Sequence, residues 1–444
     1  MFYRVMEVKK KIRVVWLCHF SNAFVHEKLD LKHNWLIGLL KRLLHRSVST
    51  DVPDFANWIT YGIQEMEKFD EVELHVVSPY PYLKSRTQEF VSNGVHYHFF
   101  KSEAESLISL LYRKLLRSKC CQYRKNCRTI SGLIKKIHPE IVHLFGAENP
   151  DYATGVFYVP KDIIVIAQLQ TLMNDPDFKK NYPINERSYM YRAKIEKDII
   201  LKADYIGTRA LKFRNIIREA IKPSAIILNT NLALNEPIVM EECEKQYDFV
   251  YFAANINKAA DLALEAFGLA YQQNPEITLD VIGGYDMAFM QNLEGLIEKY
   301  GMKDAVTFEG RLLTHDDVLK HIRKSRFALL PLKIDLTSGT IREAMSNGLP
   351  VVTTDTGEIG TQRLNLKRKN VLISPIGDHQ ALANNMLLLL EDETLVDTLR
   401  RNSFETRLEA SSNAVTVCKY IEAYKACIEN KRNRKPLPSE VTNI

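Results

Sequence analysis

The chain has 444 residues, 46% apolar and 26% charged, with a formal net charge of +6. That length exceeds what one hydrophobic core organises, and at roughly 100–200 residues per domain it predicts two units as the simplest reading. The composition excludes wholesale disorder, and the small charge, without zinc-finger spacing or an RNP-type aromatic motif, argues against nucleic acid as a partner.

The first residues, MFYRVMEVKKKIRVVWLCHF, carry basic side chains, but their apolar run is short and reads as a strand rather than a signal peptide. Nowhere do about 18 apolar residues run uninterrupted, so no spanning helix is expected. The cysteines, Cys18, Cys120, Cys121, Cys127, Cys243, Cys418 and Cys427, are odd in number and scattered without a C-x-x-C pair. Neither a disulfide framework nor a metal site is indicated, and a reducing cytoplasm is the expected location.

Along the chain, short β-branched runs alternate with stretches of helical period, the pattern of parallel strands joined by crossover helices. In the first half the predicted strands are Arg13–Cys18, Glu73–Val77, Val95–Phe100, Ile141–Leu144, Ile163–Ala167, Tyr205–Thr208 and Ala225–Leu228. In the second half they are Phe249–Ala253, Thr278–Ile282, Val306–Glu309, Phe327–Pro331, Val351–Thr354 and Val371–Ile373. The polar stretch Ala233–Tyr247 lacks a steady period and is expected to link them. The expected division is an N-terminal Rossmann-like domain over 1–235 and a C-terminal one over 236–405. Helices and a tail over 406–444 are expected to pack back toward the first domain.

Two basic amphipathic stretches, Trp35–Arg46 and Leu107–Lys125, carry Leu and Ile at helical spacing with Lys and Arg between them. Each suits either a core stripe with a solvated basic face or contact with an anionic membrane surface. Asp175-Pro176-Asp177 has the D-x-D spacing of some cation sites, but such spacing is commoner in ordinary turns, and no metal is expected there.

The richest stretch is PLKIDLTSGTIREAMSNGLPVVTTDTGEIG, Pro331–Gly360. A buried strand runs into the small-residue loop Thr337-Ser338-Gly339-Thr340, and a helix follows. A helix N-terminus presents unpaired N–H groups, and glycine and hydroxyls let a diphosphate approach the backbone. Asp335 and Glu343 flank the loop, and a carboxylate accepts two neighbouring hydroxyls well, so Glu343 suits a ribose and Asp335 a sugar ring. As a pattern alone, the segment fits an ordinary β-α connection equally well.

The run D-x7-E followed by AMSNGLPVVTTDTGEIG resembles the E-x7-E signature and EAMACGLPVVATDVGG of the retaining GT-B glycosyltransferases of family four. Upstream, NPEITLDVIGGYD resembles that family's NPDVKLVIVGDG, and VTFEGRLLTHDDVLKHIRKSRFALLPLK resembles VTFLGRVSHEELPELYRSADVFVLPS. The resemblance implies two doubly wound parallel sheets facing a cleft, with the nucleotide-sugar donor on the C-terminal one. It implies that Glu343 binds the ribose, that Asp335 contacts the donor sugar, and that Ser338, Gly339 and Thr340 cradle the phosphates. Lys258 matches the family's phosphate-binding lysine, whereas Asn255 stands where a companion arginine is usual. Gly310 and Arg311 match a loop beside the base, and Gly283-Gly284 a turn facing the cleft.

The N-terminal half resembles the family more faintly, and His19-Phe20-Ser21-Asn22 replaces the glycine-rich loop after its first strand. HPEIVHLFGAENPDYATGV resembles a family strand-end segment; His143 matches its first histidine, and Phe145 stands at the second. His143 is thus either an acceptor-side group or a hydrogen-bonded core residue. Glu148 and Gln170 follow strand ends, where polar groups face the cleft. Glu196, Ala203 and Asp204 are expected to be structural.

The resemblance implies transfer of a hexosyl group, with retention, from a nucleoside-diphosphate sugar to a saccharide or lipid-linked saccharide in surface-polysaccharide assembly. No cofactor and no catalytic metal are implied, and the inner face of a membrane is a fitting place for the reaction. The rival readings are a nucleotide-sugar epimerase on the same architecture and a catalytically weakened nucleotide-sugar-binding protein, the latter favoured by Asn255 and Phe145.

Overall fold

The computed structural model describes residues 11–31, 54–103, 123–181, 186–234, 243–253, 259–333, 339–356, 364–410 and 412–443. Eight strands build the first sheet: β1 (Ile12–Leu17), β2 (Val72–Tyr80), β3 (Thr87–Ser92), β4 (Val95–Lys101), β5 (Ile141–Phe145), β6 (Ile164–Gln168), β7 (Tyr205–Gly207) and β8 (Ile227–Leu228). Their order is β3-β4-β2-β1-β5-β6-β7-β8, and every neighbour pair is parallel except β3 against β4. Successive side chains feed opposite faces. Val14 and Trp16 enter one core while Val15 and Leu17 enter the other, so the inner part of β1, Val14–Leu17, must be apolar.

The second sheet holds β9 (Tyr247–Phe252), β10 (Leu279–Ile282), β11 (Val306–Gly310), β12 (Ser325–Leu330), β13 (Val351–Asp355) and β14 (Leu372–Pro375), in the order β11-β10-β9-β12-β13-β14. All its pairings are parallel. Phe249 and Tyr251 pack on one face, Val250 and Phe252 on the other. Both sheets are doubly wound, and the order in which successive strands are added reverses between β1 and β5 in the first and between β9 and β12 in the second. Ligands of such sheets bind at the carboxyl ends of the strands beside that reversal.

Only β3 lies outside the predicted strands. Its sequence TQEFVS alternates between exposed and half-buried positions and is nowhere fully buried, because an antiparallel edge strand needs no apolar run.

The long helix Asn413–Asn433 lies against the first sheet. The Trp16 indole N–H donates to the Tyr424 hydroxyl at 2.9 Å, and Lys431 pairs with Asp204 at 3.0 Å. Tyr205 donates to Asn430 at 2.6 Å. A second tie joins the sheets' loops: Asp54 N–H donates to the Leu313 carbonyl at 2.9 Å, and its carboxylate accepts from His315 N–H at 3.1 Å. The latter caps the helix His315–Ile322 together with Thr314.

Among the described residues no helix is long and apolar enough to cross a membrane. The amphipathic stretch Trp35–Arg46, and all of Leu107–Lys125 but its last three residues, lie outside the described residues.

Candidate active site

In the second sheet, β10 and β11 end side by side. Gly283 N–H donates to the Gly310 carbonyl at 2.8 Å, which locks the two turns together. A Cβ on Gly283 would lie 2.5 Å from the Ala253 carbonyl oxygen and 2.7 Å from the Tyr285 hydroxyl, so only glycine lets the chain pass there. Gly284 packs under Arg311, whose Cβ would stand 3.2 Å from a Cβ added at Gly284. The structure thus brings Gly283, Gly284, Gly310 and Arg311 to one place at the strands' carboxyl ends.

Across the reversal, the helix Gly339–Ser346 follows β12 and carries Glu343, which is half-buried, and Thr340, which is buried. Glu343 Oε1 sits 3.6 Å from where a Gly339 Cβ would be, so this carboxylate folds back along the first turn of its own helix. The helix closes on Gly348 at φ +73°, with Leu349 N–H reaching the Ala344 carbonyl at 3.0 Å. Lys333, just past β12, pairs with Asp261 at the start of the helix Ala260–Tyr271. Asn255, Lys258, Asp335 and Ser338 lie outside the described residues.

In the first sheet, the ends of β1, β5 and β6 converge on a polar cluster. Gly146 takes φ +89°, a left-handed bend that turns the chain off β5. A Cβ there would lie 3.1 Å from both Glu148 and Gln170 and 2.8 Å from the Tyr152 hydroxyl. Glu148 is 4% exposed; Oε1 accepts from Asn149 at 3.0 Å, and Oε2 is buried with no hydrogen-bond partner among the described residues. Burial pushes its carboxyl above the usual range. With its amide oriented to suit both neighbours, Gln170 donates to Glu148 Oε1 and accepts from the Trp58 indole, each at 3.3 Å.

Arg192 donates to the Glu148 carbonyl at 2.8 Å and to Asn149 Oδ1 at 3.4 Å, fixing this corner from the helix Glu186–Lys202. His19, at the end of β1, lies edge-on to Phe55 and Tyr152, and burial lowers its pKa to about 4, so the ring is neutral.

His143 does not join this cluster, which corrects its placement on the acceptor side. It sits mid-strand in β5, 1% exposed, and its Nδ1 meets the Tyr424 hydroxyl at 2.6 Å. Trp16, Phe145 and Tyr420 surround the ring, and burial lowers its pKa to about 3. It belongs to the core alternative. Gln168 is likewise buried and accepts from the Thr230 hydroxyl at 2.7 Å.

Asp175 and Asp177 both pair with Lys212, at 2.7 and 2.8 Å, and Asp175 accepts from the Asp177 N–H, so the D-x-D spacing marks the start of the helix Pro176–Asn181. The structural expectation for Glu196 has a definite partner set: its carboxylate accepts the N–H groups of Met173 and Asn174. Trp58 and Arg192 carry no signal in the sequence that ties them to a site, and only folding brings them to Gln170 and Glu148.

The profile of the family described as Glycosyl transferases group 1 matches residues 247–392, which contain β9 to β14. No curated protein sequence matches the chain significantly. Among solved structures, a sucrose-phosphate synthase from Thermosynechococcus elongatus superimposes with a TM-score of 0.65 at 16% identity, over 94% of this chain and 98% of that one. The α,α-trehalose 6-phosphate synthase of Burkholderia multivorans gives 0.61 at 10% identity, over 96% and 99%. Anabaena HepE, solved with UDP and glucose, gives 0.58 at 11% identity, over 94% and 100%. On the matched segment and this two-sheet architecture, the chain has the GT-B fold and resembles the glycosyltransferases of group 1, whose domain its second sheet carries.

Proposed function

We propose that the protein is a retaining glycosyltransferase that moves a hexosyl group from a nucleoside-diphosphate sugar to a hydroxyl of a saccharide or lipid-linked saccharide, without a catalytic metal. The observation that carries this reading is a pair of clusters at the strand ends beside each sheet's reversal. The Gly283, Gly284, Gly310 and Arg311 turns lie on the matched domain, and Glu148 with Gln170 lies on the other sheet. Glu148 Oε2, buried without a partner among the described residues, suits an acceptor hydroxyl, because a desolvated carboxylate gains most from a new donor.

In this reading Glu343 holds the ribose, Asp335 the donor sugar, and Ser338, Gly339 and Thr340 the phosphates, with Asn255 beside them. Lys258 and the loop N–H groups stabilise the departing diphosphate, and charge stabilisation of that kind is often the largest catalytic contribution. The leaving phosphate takes the acceptor proton on the same face, which gives retention. Surface-polysaccharide assembly at the inner face of a membrane is the proposed setting.

UDP-sugars are the first donors to try, since HepE was solved with UDP and glucose. Purified protein is incubated with labelled UDP-, GDP- and dTDP-sugars and lipid-linked acceptors. Transfer with retained anomeric configuration supports the reading; sugar isomerisation, or tight nucleotide binding without turnover, overturns it. Glu343→Ala should weaken nucleotide-sugar binding at least about 10-fold, as for loss of a charged hydrogen bond, while Asp175→Ala should not. Equal affinities of the two variants would remove the donor-site assignment.

A further inference from the structure

Away from the polar ends of the strands, the second sheet buries a carboxylate that has no lysine or arginine paired with it among the described residues. Asp280 is the one charged residue of β10, whose sequence is LDVI, and it is 0% exposed. It points to the face covered by the helix His315–Ile322, the side on which Ile282 packs with Ile322. Glu309 shares that face by alternation, two residues after Thr307, the partner of Asp280, and the pairing slips by one residue at it: Val281 pairs Phe308 while Ile282 pairs Gly310. In the resembling segments quoted above, the positions of Asp280 and Glu309 are Val and Leu, so two apolar sites of the pattern have both become acidic.

His321 comes down between them from the helix. Its Nε2 lies 3.0 Å from Asp280 Oδ2 and 3.6 Å from Glu309 Oε1. Yet among the described residues neither oxygen of Asp280 nor Nε2 of His321 makes a hydrogen bond. Lys324 acts on Asp280 electrostatically but forms no ion pair with it among the described residues. The three ligand atoms all lie within 4.8 Å of one another. Around a zinc ion with ligands at about 2.0–2.2 Å in tetrahedral array, neighbouring ligand atoms stand about 3.3–3.6 Å apart.

We propose that Asp280, Glu309 and His321 form a binding site for one divalent cation of the zinc class, which ties β10, β11 and the helix His315–Ile322 together. Two carboxylates and one imidazole are a ligand set that suits zinc or manganese better than magnesium. Glu309, whose side chain is 31% exposed, leaves an open side for water as a fourth ligand. The cation is structural: Asp280 precedes the Gly283-Gly284 turn by three residues and Glu309 adjoins Gly310, so it braces both turns from beneath.

A second cluster shows the contrast. Glu73, His75 and His96 also gather within ligand reach of one another. There, however, Glu73 Oε1 already meets Arg13 and His75 at 3.0 Å, and the other nitrogen of His75 meets His98 at 3.1 Å. Glu73 Oε1 and both nitrogens of His75 are thus already engaged, unlike the atoms of the Asp280 group.

The test is metal content of the purified full chain by mass spectrometry, followed by calorimetric titration of chelator-treated protein with Zn²⁺, Mn²⁺ and Mg²⁺. One Zn²⁺ per chain is expected, with a higher melting temperature when it is bound. Asp280→Asn and His321→Gln should each weaken Zn²⁺ binding at least about 10-fold, whereas His75→Gln should match the wild type. No saturable Zn²⁺ binding, binding unchanged in both variants, or binding lost in His75→Gln overturns the proposal. If the variants do not fold, anomalous scattering from wild-type crystals grown with Zn²⁺ decides it. A peak between Asp280 and His321 supports the site, and a peak only elsewhere, or none, overturns it.

Discussion

Gly283 shows how little room the donor side leaves at the level of one residue. Alanine there would bring a methyl to 2.5 Å from the Ala253 carbonyl oxygen, and backbone cannot yield as a flexible side chain does. Gly283→Ala should therefore shift the turn that faces Arg311. We expect about 1–3 kcal/mol of lost stability, the usual cost of overpacking, and a nucleotide Kd raised at least about 10-fold. Urea unfolding and calorimetry check both. On the other sheet, Glu148→Gln keeps the shape but not the charge. If Oε2 receives an acceptor hydroxyl, kcat/KM for the acceptor should fall about 10- to 100-fold, as for a charged hydrogen bond. The donor KM should stay unchanged; a rise in that constant alone would place Glu148 elsewhere in the reaction.

Among the elements, the helix Asn413–Asn433 depends on one hydroxyl more than on its length. Tyr424 accepts from the Trp16 indole at 2.9 Å and meets His143 Nδ1 at 2.6 Å, all three side chains being fully or nearly fully buried. Tyr424→Phe would leave two buried polar groups without partners, at about 1–3 kcal/mol each before relaxation. A denaturant midpoint equal to wild type would show that these bonds contribute nothing net. The helix His315–Ile322 has a different dependence, because part of its capping comes from Asp54 in the other half of the chain. Asp54→Ala should cost about 1 kcal/mol, as lost caps do, and loosen the approach of the two halves. Small-angle scattering with and without nucleotide would register that as a larger radius of gyration.

For the whole molecule, the buried neutral histidines set a response to acid. His143 is held at about 3 by burial, below the roughly 6.5 of an unfolded chain. Below about 6.5 the unfolded chain binds a proton that the native state refuses, so this contribution to stability is complete above that pH and is lost as pH falls toward 3. His19 and His75, each lowered to about 4 chiefly by burial, act in the same direction. At about pH 5 His143 alone should remove about 2 kcal/mol. Urea midpoints at about pH 7.5 and pH 5 measure it, and a midpoint that does not fall would contradict neutral burial.

The apolar runs Val14–Leu17, Phe249–Phe252 and Phe327–Leu330, with the apolar residues of β5 on either side of His143, determined the two doubly wound sheets without any tertiary information, because a parallel strand buried on both faces is apolar along most of its length. The Gly283-Gly284 and Gly310-Arg311 turns follow from the family resemblance of the segments that hold them. Tertiary structure alone decided which polar residues are accessible. His143 and Glu148 are five residues apart, yet one faces the helix Asn413–Asn433 and the other a strand-end cluster. Trp58, Arg192 and the Asp280, Glu309 and His321 group acquire meaning only from partners distant in sequence. The physical reason is that periodicity encodes burial, which is a property of each strand, whereas a site is a convergence of side chains from several elements, which no single segment encodes.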